Sequence, residues 1–249
     1  MSSPAVVIGS TGLVGSHILT TLLASAETSY RPIHTITRRA PQAAAADQQL
    51  KTIVDADTTK WAAALSGLAP VPAAVFSALG TTRAQAGSIQ NQWKIDHDLN
   101  VELARAAKQA GVGTFVFVSS GGTRGLVSSM APYSKMKNGV EDVVRDLGFD
   151  QAVILKPGVI LGQREQGRLV EGIAQTVARG LGKLGAGVQD MIGQDADVIA
   201  RAAVRAAQLA AQGKAPSKYW VVEASEIVRL GRTEWPAAPA AAPEKPAAS

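Results

Sequence analysis

The chain has 249 residues, of which 46% are hydrophobic and 18% charged, a composition typical of a soluble globular protein with a sizeable core. It contains no cysteine, which excludes disulfides, zinc–thiolate sites and thiol nucleophiles. The net charge is +5, but Lys and Arg are interleaved with Asp and Glu, so we expect a solvated surface and no nucleic-acid partner. The histidines His17, His34 and His97 share no metal-ligand spacing, and we expect no metal site.

Residues 1–26 carry no Lys, Arg, Asp or Glu, a pattern that resembles a signal peptide or a membrane anchor. A secretory signal has a basic region before its apolar stretch, and none is present here. A membrane helix needs about 20 mostly apolar residues, whereas this segment is interrupted by Gly, Ser and Thr. We therefore predict a strand, a turn and a helix at the N-terminus and no membrane-spanning segment.

Short apolar runs rich in β-branched residues predict seven strands, at Ala5–Ile8, Ile33–Thr37, Thr52–Val54, Ala73–Ala78, Thr114–Val118, Ala152–Leu155 and Tyr219–Val222. Between them apolar side chains recur at helical spacing, for example at Val140, Val143, Val144 and Leu147. The run Thr114–Val118 is apolar on both sides, as a parallel sheet covered on two faces requires. The sequence predicts an α/β fold: a doubly wound Rossmann-type parallel sheet of about seven strands with helices on both faces.

The composition changes near the C-terminus. Residues 236–249 are mostly Pro and Ala with no large apolar side chain, which predicts a disordered tail. Residues 1–235 are predicted to form a single dinucleotide-binding domain, in which about 160–235 is a small substrate region.

A glycine-rich turn follows the first predicted strand: Gly9-Ser10-Thr11-Gly12-Leu13-Val14-Gly15. In such a turn the first glycine permits the tight bend, the second lets the backbone approach a pyrophosphate, and the third lets the helix pack closely on the strand. The N–H groups at the start of the following helix would bind the phosphates. A glycine pattern alone is weak, but between a strand and a helix it predicts a dinucleotide site. The alternative is a purely structural turn.

The residues after the second strand bear on the choice of cofactor. An NAD-binding protein usually carries an acid there for the ribose hydroxyls, whereas this chain has Arg38 and Arg39. Guanidinium groups suit a 2′-phosphate, so the sequence favours NADP(H) over NAD(H), the alternative being two surface arginines. Asp57, just after the third strand, could accept from the adenine amino group or could N-cap the helix containing Trp61.

The candidate catalytic residues are Ser120, at the end of the fifth strand, and Tyr133-x-x-x-Lys137. Tyr133 and Lys137 are four residues apart and share one helix face. A nearby ammonium and a positively charged nicotinamide ring would lower the pKa of Tyr133 from its usual value near ~10. Ser120 would then bind a substrate carbonyl oxygen while Tyr133 transfers the proton. The alternative is that Tyr133 packs in the core and Lys137 is solvated.

These residues resemble the short-chain dehydrogenase/reductase superfamily in its atypical or extended branch, in which the matching Ser, Tyr and Lys are catalytic. The segment from Lys156 to Gly162 resembles the branch's Arg-Pro-Gly segment, with lysine in place of arginine. The resemblance implies that Pro157, Gly158 and Val159 lie near the nicotinamide. The loop Ala78-Leu79-Gly80-Thr81 is similar to the branch's loop after the fourth strand, which lines the cofactor.

One fungal family, "found in mitochondrial proteome protein 52", resembles the chain more closely, over about residues 4–235. The matching segments are Ile8–Ser16, Gln90–Asp98, Ser119–Gly125, Pro132–Lys137 and Lys214–Glu223. That family is similar to the animal Tat-interacting protein of 30 kDa. The resemblance implies a peripheral protein of the mitochondrial outer membrane, while the residues alone leave a cytoplasmic location open.

Two function hypotheses remain open. The first is an NADP(H)-dependent oxidoreductase acting on a small carbonyl or alcohol, whose identity the short substrate region does not specify. The second is a non-catalytic NADP(H)-binding scaffold or sensor, in which Ser120, Tyr133 and Lys137 mainly hold the cofactor. The oligomeric state is open under both.

Overall fold

A computed structural model describes residues 3–25, 30–42, 48–162 and 193–236. The strands are β1 Ser3–Ile8, β2 Tyr30–Thr37, β3 Leu50–Val54, β4 Ala74–Ser77, β5 Thr114–Val118, β6 Gln151–Lys156, β7 Val159–Leu161, β8 Gly193–Asp195 and β9 Tyr219–Glu223. Seven of them form one sheet in the order β3-β2-β1-β4-β5-β6-β9, and every neighbouring pair is parallel. All seven predicted strands and the parallel sheet are thereby confirmed.

The short strands β7 and β8 pair with each other in a separate two-stranded parallel sheet. Neither strand was predicted from the sequence. Each is three residues long, which is too short for a period of two to stand out.

The helices are α1 Leu13–Ala24, α2 Trp61–Ser66, α3 Arg83–Ala86, α4 Ile89–Trp93, α5 Asn100–Gln109, α6 Pro132–Asp146, α7 Ala196–Ala211 and α8 Ala224–Val228. A π-helical segment, Lys94–Leu99, connects α4 directly to α5, and a second one, Arg229–Thr233, follows α8. Single π-turns inside α-helices are rare and occur frequently at functional sites.

Helices cover both faces of the sheet, as predicted. Within β1, Ala5 and Val7 belong to the core shared with α1 and α7, whereas Val6 and Ile8 belong to the core shared with α2, α5 and α6. The same alternation runs through β5, where Val116 faces the first core and its neighbours face the second. Each strand is therefore apolar on both sides because both of its sides are buried.

The predicted helical stripes are the buried faces of their helices. Val140 and Val144 of α6 are fully buried in the second core, and Val143 and Leu147 pack against it. In α7 apolar residues at helical spacing pack into the first core: Val198, Ile199, Ala202, Ala206 and Leu209.

The strand order determines where a ligand can bind. The chain leaves β1 towards β2 on one side, and β4 lies on the other side of β1. Such a reversal leaves a crevice at the carboxyl ends of the central strands, where α/β proteins bind their ligands. Because all seven strands are parallel, every loop that follows a strand lies along this one edge.

The predicted substrate region and tail are covered only in part. Residues 163–192 lie outside the described residues, and so does the predicted tail except for Pro236. Within the described ranges, no helix is long and apolar enough to cross a membrane.

Candidate active site

The predicted site residues come from seven places in the sequence, and the structure brings them to the carboxyl edge of the sheet. The glycine turn follows β1, Arg38 and Arg39 follow β2, and Asp57 follows β3. The loop 78–81 follows β4, Ser120 lies two residues after the end of β5, and residues 157–159 follow β6. Tyr133 and Lys137 lie in α6, near its N-terminal end.

The glycine turn is held by contacts that leave no room for side chains at its two ends. Gly9 has a φ of +81°, and a Cβ there would lie 2.7 Å from the carbonyl oxygen of Ala78. A Cβ on Gly15 would lie 2.0 Å from the carbonyl oxygen of Gly9. Gly12, whose N–H donates to that same oxygen at 2.9 Å, is exposed. The outer glycines therefore shape the turn, and the middle one leaves the helix N-terminus open to a ligand.

The turn also fits the phosphates of a dinucleotide by its unsatisfied polar groups. Ser10 is fully buried, and its Oγ has no hydrogen-bond partner among the described residues. Gly12 stands at the N-cap position of α1 and has no side chain to cap the helix, and the first turn of α1 holds no acidic residue. A buried hydroxyl and uncapped N–H groups beside an open surface are what a bound phosphate would satisfy.

Arg38 and Arg39 are exposed directly after β2, and within the described ranges their guanidinium groups form no ion pair. Asp57 accepts hydrogen bonds from the N–H of Thr59 at 3.1 Å and from its hydroxyl at 2.6 Å. These bonds, the hydroxyl bond first, lower the pKa of Asp57. Asp57 thus caps the short 3₁₀ turn Thr58–Lys60 that leads into α2, and its contact with adenine stays a prediction.

Ser120, Tyr133 and Lys137 form the centre of the candidate active site. The hydroxyl of Ser120 lies beside the phenol of Tyr133 and lowers its pKa. Tyr133 keeps 41% of its surface exposed, whereas Lys137 is only 5% exposed. The ammonium of Lys137 donates to the carbonyl oxygen of Val118 at 3.2 Å and lies 4.9 Å from the centre of the Phe117 ring. The alternative of a solvated Lys137 is therefore wrong.

The expected lowering of the pKa of Tyr133 by Lys137 together with a positively charged nicotinamide ring stays a prediction. In this structure the pKa of Tyr133 is raised. Burial raises the pKa of Tyr133, the neighbouring hydroxyl of Ser120 lowers it, and the charge of Asp96 raises it again. Solvent at the exposed part of the ring screens part of these effects. The ammonium of Lys137 faces the carboxylates of Asp96 and Glu141, which compensate its charge. The phenol is therefore held protonated.

Asp96 is a site residue to which the sequence analysis assigned no role. It lies in the π-helical segment and is 1% exposed. Its Oδ1 accepts from the N–H of Thr81 at 2.6 Å, and its Oδ2 accepts from Nε2 of Gln92 at 3.1 Å. Burial raises the pKa of Asp96, against the charge of Lys137 and these two hydrogen bonds. The segment Gln90–Asp98 had been singled out only as part of the family resemblance.

Glu141 is a second buried carboxylate that the sequence analysis missed. Its Oε1 accepts from the hydroxyl of Ser119 at 2.5 Å. Its Oε2 lies 3.1 Å from Nε of Arg124 and 3.4 Å from Nζ of Lys156. Glu141 follows Lys137 by four residues, so the spacing that related Tyr133 to Lys137 extends to it along the same helix face.

The segment after β6 is fixed to the rest of the site through its backbone. The N–H of Gly121, next to Ser120, donates to the carbonyl oxygen of Pro157 at 2.6 Å. The N–H of Gly158 donates to Oε1 of Gln194 at 2.7 Å, while Val159 keeps 41% of its surface exposed. Over the described residues, no group of three or more His, Asp or Glu side chains could hold a metal ion.

A parallel sheet with a glycine turn after β1 and a Ser, Tyr and Lys group at the same edge defines a dinucleotide-binding protein of the dehydrogenase type. The chain belongs to the NAD dependent epimerase/dehydratase family, whose model matches residues 5–221. Membership implies a nicotinamide dinucleotide cofactor and an oxidoreductase-like role.

More specifically, the chain belongs to the FMP52 family, as its motifs indicated. It is 56% identical over 230 residues to "Protein FMP52, mitochondrial" of Chaetomium globosum, covering 92% of this chain and 97% of that protein. It is 57% identical over 231 residues to "Protein fmp-52, mitochondrial" of Neurospora crassa, covering 92% of this chain and 95% of that protein. The recognition of the family from the sequence is confirmed.

Solved structures support the fold at low sequence identity. The structure described as "MoeE5 in complex with UDP-glucose and NAD" is 19% identical with a TM-score of 0.62, covering 93% of this chain and 81% of that chain. The UDP-Glc/GlcNAc 4-epimerase of Campylobacter jejuni is 17% identical with a TM-score of 0.64, covering 92% of this chain and 82% of that chain.

Proposed function

We propose that this protein is an NADP(H)-dependent oxidoreductase that interconverts a small carbonyl compound and its alcohol. The observation that carries the proposal is the placement of Ser120 beside Tyr133, with the ammonium of Lys137 buried one helical turn further along. This group lies at the same sheet edge as the glycine turn, whose open helix N-terminus and buried Ser10 hydroxyl fit a dinucleotide phosphate.

Reduction of a carbonyl requires a hydride at carbon and a proton at oxygen. When bound, the nicotinamide ring supplies the hydride. Ser120 is the group that would hold the carbonyl oxygen, and Tyr133, protonated at neutral pH, would give it the proton. Lys137 would hold the phenol end of the site in place and stabilise the phenolate that is left behind.

Two variants with matched chemistry test the catalytic assignment. Tyr133→Phe removes the proton donor, so we expect it to abolish NADPH oxidation against a panel of carbonyls while NADPH affinity stays unchanged. The control is Tyr30→Phe, because Tyr30 is 3% exposed and its hydroxyl donates to the carbonyl oxygen of Ala207, in α7. Unchanged turnover in Tyr133→Phe would refute the assignment. Tight NADPH binding without turnover of any carbonyl by the wild type would favour the scaffold hypothesis.

The preference for NADP(H) is supported by Arg38 and Arg39, which are exposed after β2 where an acid would serve NAD. A charge-assisted hydrogen bond to a 2′-phosphate contributes ~1.5–3 kcal/mol, and ~1.4 kcal/mol is tenfold in affinity. NADPH should therefore bind at least ~10-fold more tightly than NADH, and Arg38→Ala with Arg39→Ala should abolish that difference. Fluorescence titration with both cofactors measures it, and equal affinities in the wild type would exclude NADP selectivity.

We further propose peripheral attachment to the mitochondrial outer membrane. Its support is the word "mitochondrial" in the names of the relatives, together with the finding that none of the described helices could span a membrane. Carbonate extraction of isolated mitochondria should release the protein into the supernatant. Retention in the membrane pellet would contradict peripheral attachment.

A further inference from the structure

Asp96 connects two parts of the candidate site that are distant in sequence. Its Oδ1 accepts from the N–H of Thr81 in the loop after β4, and its Oδ2 accepts from Gln92 on the preceding turn of its own helix. The Nε2 atom of Gln92 also donates to the carbonyl oxygen of Thr81, at 3.3 Å. The loop 78–81 is therefore held at both backbone polar groups of Thr81, by Asp96 of the π-helical segment and by Gln92 of α4.

The same carboxylate borders the catalytic lysine. A Cβ built on Gly80 would lie 3.4 Å from Oδ1 of Asp96 and 3.9 Å from Nζ of Lys137. The absence of a side chain at Gly80 thus leaves one small space that is bordered by a carboxylate and an ammonium. Both groups are buried, where charges interact more strongly than in water.

Asp96 and Glu141 are the two charged groups among the described residues that act on Lys137. Glu141 faces Lys137 from the next turn of α6 and is itself paired with Arg124 and Lys156. On the π-helical segment His97 and Asp98 pair with each other at 2.8 Å. Asp96 is therefore the carboxylate that faces Lys137 from the cofactor side of the site.

We propose that Asp96 is a positioning residue of the active site: it fixes the cofactor loop 78–81 to the π-helical segment and holds Lys137 as an ammonium. The position of the loop and the protonation of Lys137 and Tyr133 then all depend on this one carboxylate. The assignment of the loop to the cofactor rests on the proposed function, but the electrostatic part does not, and it can be measured without a substrate.

The directions of the pKa shifts make this testable. Burial lowers the pKa of Lys137 and the charge of Asp96 opposes that effect, while the same charge raises the pKa of Tyr133. Asp96 acts on Tyr133 directly, so removing its charge should lower the pKa of Tyr133.

The experiment is an ultraviolet titration of tyrosinate in the free protein. The chain has three tyrosines, and subtracting the Tyr133→Phe variant isolates the signal of Tyr133. Asp96→Asn keeps an acceptor for the N–H of Thr81 but removes the charge, so we expect the midpoint of Tyr133 to fall by about half a pH unit or more. Asp98→Asn is the matched control, because Asp98 lies on the same segment, is 57% exposed and pairs with His97. It should leave the midpoint unchanged.

An unchanged midpoint in folded Asp96→Asn, or an equal change in Asp98→Asn, would overturn the proposal. If Asp96→Asn does not fold, the wild type provides a second test by nuclear magnetic resonance. The amide proton of Thr81 should shift as the Asp96 carboxyl titrates, with a midpoint above the usual ~3.9, because burial raises the pKa of Asp96. A Thr81 amide that does not respond to acid before unfolding would refute the contact. Neither measurement depends on turnover, so a failure of the proposed function would be separately visible.

Discussion

Removing the charge of Glu141 should destabilise the protein strongly, because the substitution leaves a buried lysine without its partner. Glu141 and Lys156 have side chains that are 2% and 8% exposed, so solvent does not screen their attraction. Arg124, the other cation at Glu141, is 40% exposed and contributes less. In Glu141→Gln the amide oxygen can still accept from Ser119, but the ammonium of Lys156 stays buried and uncompensated.

Breaking a buried ion pair at one partner costs about 3–5 kcal/mol. Allowing for the retained hydrogen bond to Ser119, we expect Glu141→Gln to lower the free energy of unfolding by about 2–4 kcal/mol.

Urea unfolding gives this difference as a lower midpoint at an unchanged slope. Asp142→Asn is the control, because Asp142 is the next residue, also pairs with Arg124, and is 48% exposed. It should cost no more than ~1 kcal/mol. Adding Lys156→Met to Glu141→Gln should restore much of the stability, since replacing a buried pair by apolar groups is often neutral. Equal losses in Glu141→Gln and Asp142→Asn, or no recovery in the double variant, would refute this account.

Two further predictions concern the frame of the site and its pH dependence. Gly15→Ala should prevent cofactor binding and lower the thermal midpoint sharply, because its Cβ would lie 2.0 Å from a backbone oxygen. Gly213→Ala is the control: Gly213 has a φ of +69° and nothing lies within 4 Å of its Cβ position, so the substitution should lower the free energy of unfolding by only about 1 kcal/mol. Similar thermal midpoints for the two variants would contradict this prediction. Burial raises the pKa of Tyr30 to about 12. The protonated phenol therefore contributes fully to the free energy of unfolding below pH ~10, and this contribution is lost as the pH rises towards 12. Alkaline unfolding curves should show a steeper loss of stability over this range in the wild type than in Tyr30→Phe, and parallel curves would argue against it.

The fold and the framework of the site were predictable from the sequence because they depend on local signals. Strands that are buried on both faces read as apolar runs, and parallel strands bring their following loops to one edge whatever the loops contain. The positions of the strands alone therefore predict that one edge of the sheet carries residues 9–15, Ser120 and residues 157–159.

The buried carboxylates were not predictable in the same way. In the sequence, Asp96 and Glu141 look like ordinary polar residues of amphipathic helices, because helical spacing identifies an apolar face but not a buried ion pair. Their partners lie 15 residues away at Thr81 and 22 residues away at Ser119, so only the packed structure reveals them. For the same reason the sequence could not show that the ammonium of Lys137 faces two carboxylates, or that burial raises the pKa of Tyr133.

Those two carboxylates give the site a defined charge arrangement along α6. Lys137 is buried between Asp96 on one side and Glu141 on the other, and its one hydrogen bond within the described residues goes to the backbone at Val118. Because these carboxylates balance the charge of Lys137, the ammonium does not favour deprotonation of Tyr133 in the free protein. This agrees with the raised pKa of the phenol. The group that would shift the balance is a positive charge arriving beside Tyr133, because it would stabilise the phenolate without being cancelled by Asp96 or Glu141. The resting protein is thus arranged to give a proton from Tyr133, and to accept one only when such a charge is bound.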